Sequence, residues 1–310
     1  MILLDALLAE SVRVGAVRGG TSIVFTAVGE TIAERSGVLN LGSEGCMLAG
    51  ALAAYVVGIE TGSPWLGAAA GVLAGALLAA VHAFVVIVRG ANQVATGLAV
   101  TFLGLGATSL FGQSYVSQGV EPFTEWAVPG LSALPFFGPL LFEHDPLTYV
   151  SFVLVPGAWW FVFRSGAGLR LRAAGERPAV LQAMGTSVAT QRWIGVLVGG
   201  GLAGLGGAQL STAFARTWSE NMVAGRGFVA VALVIFAAWN PLLTVAGAYL
   251  FAGSVALELE MQARGSGVSI FVLDAIPYVV VIVVLAVLSG RRRNAMPEDL
   301  ASVFTTEAAL

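Results

Sequence analysis

The 310-residue chain contains no lysine, since all fifteen of its basic residues are arginine. The lysine of a phosphate-cradling GxxxxGK[ST] loop is therefore absent, and any ATP hydrolysis that drives the protein belongs to another chain. A single cysteine, Cys46, excludes an internal disulfide and a multi-cysteine metal site. The two histidines, His82 and His144, stand alone, and neither HExxH nor GxSxG occurs, so a hydrolytic centre is not expected and no catalytic or metal-ligating residue is assigned. Charge is also scarce, at 11% of residues, against about a quarter in soluble domains. The net charge is -3 with no long basic or acidic block, which leaves no footprint for nucleic acid.

What is present is apolar sequence, 57% of the chain. Runs such as "YVVVIVVLAVLSG" are continuous rather than alternating, which argues for helices and against a β-barrel. At roughly 20 residues per crossing, about nine spans fit, and the apolar stretches predict them at 12–29, 38–58, 65–88, 94–112, 147–163, 193–213, 227–239, 242–257 and 270–289. The expected fold is all-α, a polytopic transmembrane helical bundle with broken helices. Residues 1–293 form the membrane domain and 294–310 a short cytoplasmic tail. The stretch 227–239 is short for a crossing and reads as an extended or broken span. "MILLDALLAES" lacks the basic start and cleavage site of a signal peptide, so the N-terminus is expected to be retained.

Arginine placement orients the bundle. Arg164, Arg170, Arg172, Arg177 and Arg192 put the 164–192 connection in the cytoplasm, with Arg291, Arg292 and Arg293 on the same side. The connection 113–146 has four acidic residues, five prolines and no arginine, so it should face outside and carry a short surface helix. "GVLVGGGLAGLGGAQL", residues 195–210, sets Gly200 and Gly204 four apart, the small-xxx-small pattern of closely packed membrane helices. "GRGFVA" at 225–230 matches a dinucleotide fingerprint on paper, but it follows no strand.

Two groups of residues carry functional meaning. Asn40 and Glu44 in "ETIAERSGVLNLGSEG", and Asn92, Gln93 and Thr96 in "GANQVATG", are polar residues at the starts of apolar segments. A carboxylate near the bilayer centre costs about 2.5–3.5 kcal/mol on insertion scales, so Glu44 should face protein or water. Its i, i+4 spacing from Asn40 would put both on one helix face. They either line a solute pathway or serve as interhelical glue, with Glu30, Glu34, Arg35 and Glu44 as a hydrogen-bonded and ion-paired cluster holding the first two spans together. His82 reads as a hydrogen-bonded packing residue, and Glu44, Glu30 or Asp274 would be the ion site of a gradient-driven transporter. The second group follows "GLRLRAAGERP": a short helix begun at Pro178, with an apolar face of Ala179, Ala183 and Met184, flanked by Arg172, Glu176 and Arg177. It suits either a groove on a soluble partner or the lipid surface.

Four motifs in this order, "GETIAERSGVLNLGSEGCMLAGALAA", "GANQVATGLAV", "GLRLRAAGERPAVLQAMG" and "AGLGGAQL", resemble the permease subunits of bacterial ABC importers of the branched-chain amino acid, ribose and nucleoside class. The nearest likeness is to the shorter of the two permeases in nucleoside importers that work with basic-membrane-protein lipoproteins. The resemblance implies a multi-pass subunit of the bacterial cytoplasmic membrane. It would pair with a homologous permease and work with a cytoplasmic ATPase that holds ATP and magnesium and with an external solute-binding lipoprotein. It implies that Gly175, Glu176, Pro178, Ala183 and Gly185 form the helix that enters the ATPase groove, and that this chain binds no cofactor itself. Ser43 and Cys46 depart from the pattern, where a bulkier apolar residue and methionine are usual. If a nucleoside is carried, Asn40, Asn92, Gln93 and Thr96 would meet its sugar, and Phe25, Phe102 or Phe111 would stack on its base.

Overall fold

A computed structural model describes residues 5–6, 9–116, 118–288, 296–298 and 300. The arginines at 291–293 and most of the predicted tail lie outside the described residues. Each predicted span falls on a helix: α1 Glu10–Arg35, α2 Ser43–Thr61, α3 Pro64–Ala83 with a π-helical continuation Phe84–Val88, and α4 Gln93–Gly112. After the 113–146 connection come α6 Pro146–Arg164, α9 Val188–Gln209 with a π-helical turn Leu210–Phe214, α10 Arg226–Phe236, α11 Pro241–Ala263 and α12 Ile270–Leu288. Between α4 and α6 lies the short α5, Phe137–Leu141, and between α6 and α9 lie α7, Gly166–Glu176, and α8, Pro178–Ala183.

The helix starts follow from local chemistry. Asn92, Asp145, Ser165 and Ser187 each accept a hydrogen bond from a first-turn backbone N–H. Proline opens α3, α6, α8 and α11, where its missing N–H costs nothing. Among the described residues six helices are long and apolar enough to cross a membrane: α2, α3, α4, α6, α9 and α11. The short stretch at 227–239 is α10, whose 11 residues span only about 16 Å, half a crossing.

α9 stands at the centre and packs on α1, α2 and α3. The seam is built by glycine. A Cβ on Gly204 would strike the carbonyl of Gly71, one on Gly75 the carbonyl of Gly200, and one on Gly207 the carbonyl of Met47. The close packing expected of 195–210 is what forms, backbone against backbone. These contacts also set depth. Gly206 lies on Ser22, halfway along α1, and the adjoining Gly207 lies on Met47, so α2 begins near mid-depth. The predicted span 38–58 is therefore interrupted: residues 36–42 leave the end of α1 as an irregular turn and climb back into the bundle before helix resumes at Ser43.

The 113–146 connection carries the expected short helix, α5, and a two-residue antiparallel ladder in which Trp126 faces His144. Arg18 of α1 donates both Nη groups to Glu125, at 2.7 Å each, and Arg216 adds a third bond at 2.9 Å. Burial is the largest single influence on the Glu125 carboxyl and raises its pKa, but the hydrogen bonds and charges of Arg18 and Arg216 together outweigh it and leave it below the ordinary value. At the other end of the chain, Leu300 is buried with Leu39 and Val231.

Candidate functional site

Gly37, in the left-handed region at φ +93°, turns the chain out of α1. The turn that follows wraps the Glu30 carboxylate, which accepts from Asn40 N at 2.8 Å and from Ser43 Oγ at 2.7 Å. Asn40 Oδ1 accepts from Gly42 N at 3.0 Å. Asn40 thus lies in the turn, ahead of the helix, and the shared helix face inferred from its spacing to Glu44 does not form. Gln93, at the start of α4, accepts from Leu39 N at 2.8 Å and donates to Gly37 O at 3.4 Å. The ring of His82 bonds Leu39 O at 3.0 Å, as a packing histidine would. Asn92 accepts from Ala95 N, and Thr96 Oγ1 donates to Asn92 O, at the exposed start of α4. Asn40, Gln93 and Glu30 therefore meet around the turn, whereas Asn92 and Thr96 serve their own helix. Phe25 is buried, and Phe102 and Phe111 are two-thirds exposed on the bundle exterior.

Glu44 does something its sequence position does not announce. Its two oxygens accept from Gly225 N and Gly227 N, each at 2.7 Å, so it closes the N-terminus of α10 inside the bundle. The carboxylate meets unpaired amides and the positive end of the helix dipole together. A Cβ on Gly227 would fall 2.5 Å from the Glu44 Cα, so only glycine allows this approach.

The far end of α10 is held as firmly. Trp239 Nε1 donates to Glu34 at 2.5 Å, and Arg35 donates to the carbonyls of Trp239 and Ala238, each at 3.3 Å. Arg35 also pairs with Glu176, at the end of α7, at 3.3 Å. The cluster Glu30, Glu34, Arg35 and Glu44 was expected to join the first two spans; only Glu30 does so, while Glu34 and Arg35 reach the far end of α10 and the 164–192 connection and Glu44 holds the N-terminus of α10. There, Arg172 Nε holds Val162 O at 3.0 Å, and a Cβ on Gly175 would sit 2.6 Å from Arg35 O, so α7 lies directly on the end of α1. Pro178 opens α8, and Gly185, at φ +75°, ends it. Leu181 is buried beneath, while Val180, Ala183 and Met184, the last 74% exposed, form an uncovered apolar face with Ala179.

Two cavities flank the head of α10. One, about 380 Å³, runs between α1 and α11 from Ser11 and Glu260 down to Ile23, Phe251 and Arg226, with Phe214 at its side. The other, about 310 Å³, lies between α11 and α12 and is lined by Glu258, Asp274 and Tyr278, sharing Arg226, Phe251 and Val255 with the first. A third, also about 310 Å³, holds Arg18, Glu125 and Arg216 and shares Phe214 with the first. Sequence reasoning passed over Arg226, Phe214 and Phe251. The signal was a lone arginine next to a glycine at the start of an apolar stretch, read only as part of a nucleotide fingerprint.

The chain matches the family described as branched-chain amino acid transport system, permease component, over residues 14–289. A protein of Haloferax volcanii, named provisionally as a glucose ABC transporter permease, is 43% identical over 80% of this chain and 76% of its own. A guanosine ABC transporter permease of Bacillus subtilis is 32% identical over 76% of this chain and 78% of its own. A nucleoside ABC transporter permease of Lactococcus lactis is 32% identical over 87% of this chain and 90% of its own. No solved structure matches the chain. With a match across most of its length and a bundle of apolar helices to go with it, this chain belongs to the branched-chain amino acid transport system permease family, and is a multi-pass membrane permease subunit of an ABC transporter.

Proposed function

We propose that this permease imports nucleosides across the cytoplasmic membrane by alternating access. The external solute-binding lipoprotein docks on the 113–146 side and the ATPases on α8, through Val180, Ala183 and Met184. ATP and magnesium sit on the ATPase subunit, and a homologous permease completes the pair as a heterodimer. This chain does no covalent chemistry.

The observation that carries the reading is Arg35. It bonds Glu176 at the end of α7 and, with the same guanidinium, the carbonyls of Ala238 and Trp239 just past the end of α10. A displacement of α8 by the ATPases is thereby passed to a half-length helix whose other end lies beside the cavities. Gly175, Glu176, Pro178 and Gly185 shape and anchor the coupling element; Arg172 fastens it to α6. Asn40, Glu44 and Gln93 keep the broken helices in register, and Asn92 and Thr96 stand at the exposed head of α4. The nucleoside assignment draws support from the two relatives named for nucleoside and guanosine transport. Import of a sugar is the second reading, favoured by the relative named for glucose.

The test is uptake of radiolabelled nucleoside into vesicles holding the complete importer, with ATP present or omitted, competed by ribose and leucine. ATP-dependent uptake blocked by nucleosides alone is expected. Competition by ribose or leucine would move the substrate, and uptake without ATP would overturn the transporter class. In the same vesicles Glu176→Arg should abolish uptake at normal expression, because it sets two cations against each other at the coupling contact.

A further inference from the structure

The two cavities at the head of α10 meet at Arg226, and its guanidinium is held in one orientation. Nη1 donates to the carbonyls of Met222 and Val223, both at 3.1 Å. Among the described residues the Nε–Nη2 edge makes no hydrogen bond, which leaves a planar pair of N–H donors at the cavity floor. Such a fork takes two acceptors set side by side. A carboxylate would satisfy it, but Glu258 and Asp274 line the smaller cavity beside Arg226, and Glu260, paired with Arg264 at 2.7 Å, stands at the rim of the larger, so an added anion meets carboxylates on both sides. A neutral ligand with two adjacent acceptors avoids that repulsion.

The walls narrow the choice. Between the polar rim at Ser11 and Glu260 and the polar floor at Arg226, the larger cavity is lined by glycine, alanine, valine, isoleucine, leucine and phenylalanine. A monosaccharide carries hydroxyls on all sides and would leave them unpaired against such walls. A solute with a flat aromatic body, whose hydrogen-bonding groups are confined to its edge and ends, fits, and Phe214 and Phe251 offer rings to stack on its faces. We propose that this cavity binds a nucleoside with a 6-oxopurine base, its N7 and O6 accepting from the Arg226 fork and its ribose hydroxyls directed toward Glu260 and Ser11 at the rim. The proposal rests on the nucleoside reading above and adds the site and the base.

The test uses the complete importer in nanodiscs, photolabelled with 8-azidoguanosine and mapped by peptide mass spectrometry, with ATP-driven guanosine uptake measured on the same preparation. Label on the stretches around Phe214, Phe251 and Arg226, protected by guanosine and inosine and not by ribose or leucine, is the expected result. Arg226→Lys keeps the charge, removes the fork, and should lower labelling about tenfold. Gly19→Val serves where Arg226→Lys does not accumulate: a Cβ there would lie 3.4 Å from the Phe214 ring, ordinary contact, so the valine fills the cavity and should abolish the label. Labelling elsewhere, protection by leucine, or unchanged labelling in both variants overturns this site while leaving nucleoside import standing. Absence of guanosine uptake by the unaltered importer overturns both.

Discussion

Replacing Glu44 with alanine removes two charge-assisted hydrogen bonds of 2.7 Å from a residue that is 3% exposed. The Gly227 amide lies in the interior, and leaving it unpaired costs about 1–3 kcal/mol; the Gly225 amide is partly accessible and costs about 1 kcal/mol. The sum, about 2–4 kcal/mol, is concentrated on the 215–230 stretch. Glu44→Gln keeps one accepting oxygen and turns an NH2 toward the other amide, so it should lose about half as much. The measurement is thermal unfolding of the detergent-solubilised protein together with hydrogen exchange at the α10 head. Stability should fall in the order wild type, Gln, Ala, with exchange accelerating first at residues 225–228. If alanine and glutamine are equally mild, or if exchange rises across the molecule rather than at α10, the capping account is wrong.

Gly204→Ala should prevent α3 and α9 from meeting and leave little folded protein, because the added methyl overlaps Gly71 backbone rather than a yielding side chain; Gly106→Ala, with nothing within 4 Å, should be neutral or mildly stabilising, and expression with thermal shift compares them. Arg35→Gln should leave ATP hydrolysis by the assembled importer in place while uptake falls, and parallel loss of both would place Arg35 in folding alone. Since the folded pKa of Glu125 lies below the unfolded value of about 4.3, the stability it lends the 113–146 connection is complete above that value and is lost as pH falls through the folded one. Hydrogen exchange over 118–145 should therefore differ between wild type and Glu125→Gln at pH 7 and converge in acid; a difference that persists in acid counts against the ion pair.

The bundle was legible because apolar runs, caps and prolines are local signals: Asp145-Pro146 and Asn240-Pro241 mark helix starts without reference to anything distant. The breaks were not. Hydropathy reads 38–58 as continuous, and the side chains that hold 36–42 irregular, Glu30, His82 and Gln93, lie outside it, the last two more than forty residues along the chain from Leu39. Asn40 and Glu44 stood out as polar residues in an apolar setting, but the partner of Glu44 lies about 180 residues along the chain, beyond the reach of any spacing rule. Arg226 failed for the opposite reason: its neighbours formed a familiar string, and the string drew attention from the charge. The short helix α8 was the most readable part, since proline, a short apolar face and a terminal glycine act within a dozen residues.

The glycine seam around α9 bears on how genetics would perceive this protein. At Gly71, Gly75, Gly204 and Gly207 nearly every substitution collides with main chain, so a saturation screen scored by transport would rank these as its most intolerant positions. The cavity beside Arg226, walled partly by residues that could trade one apolar side chain for another, would look permissive by comparison. Intolerance here would chart the scaffold, and the solute's route would emerge only from a screen that varies the solute.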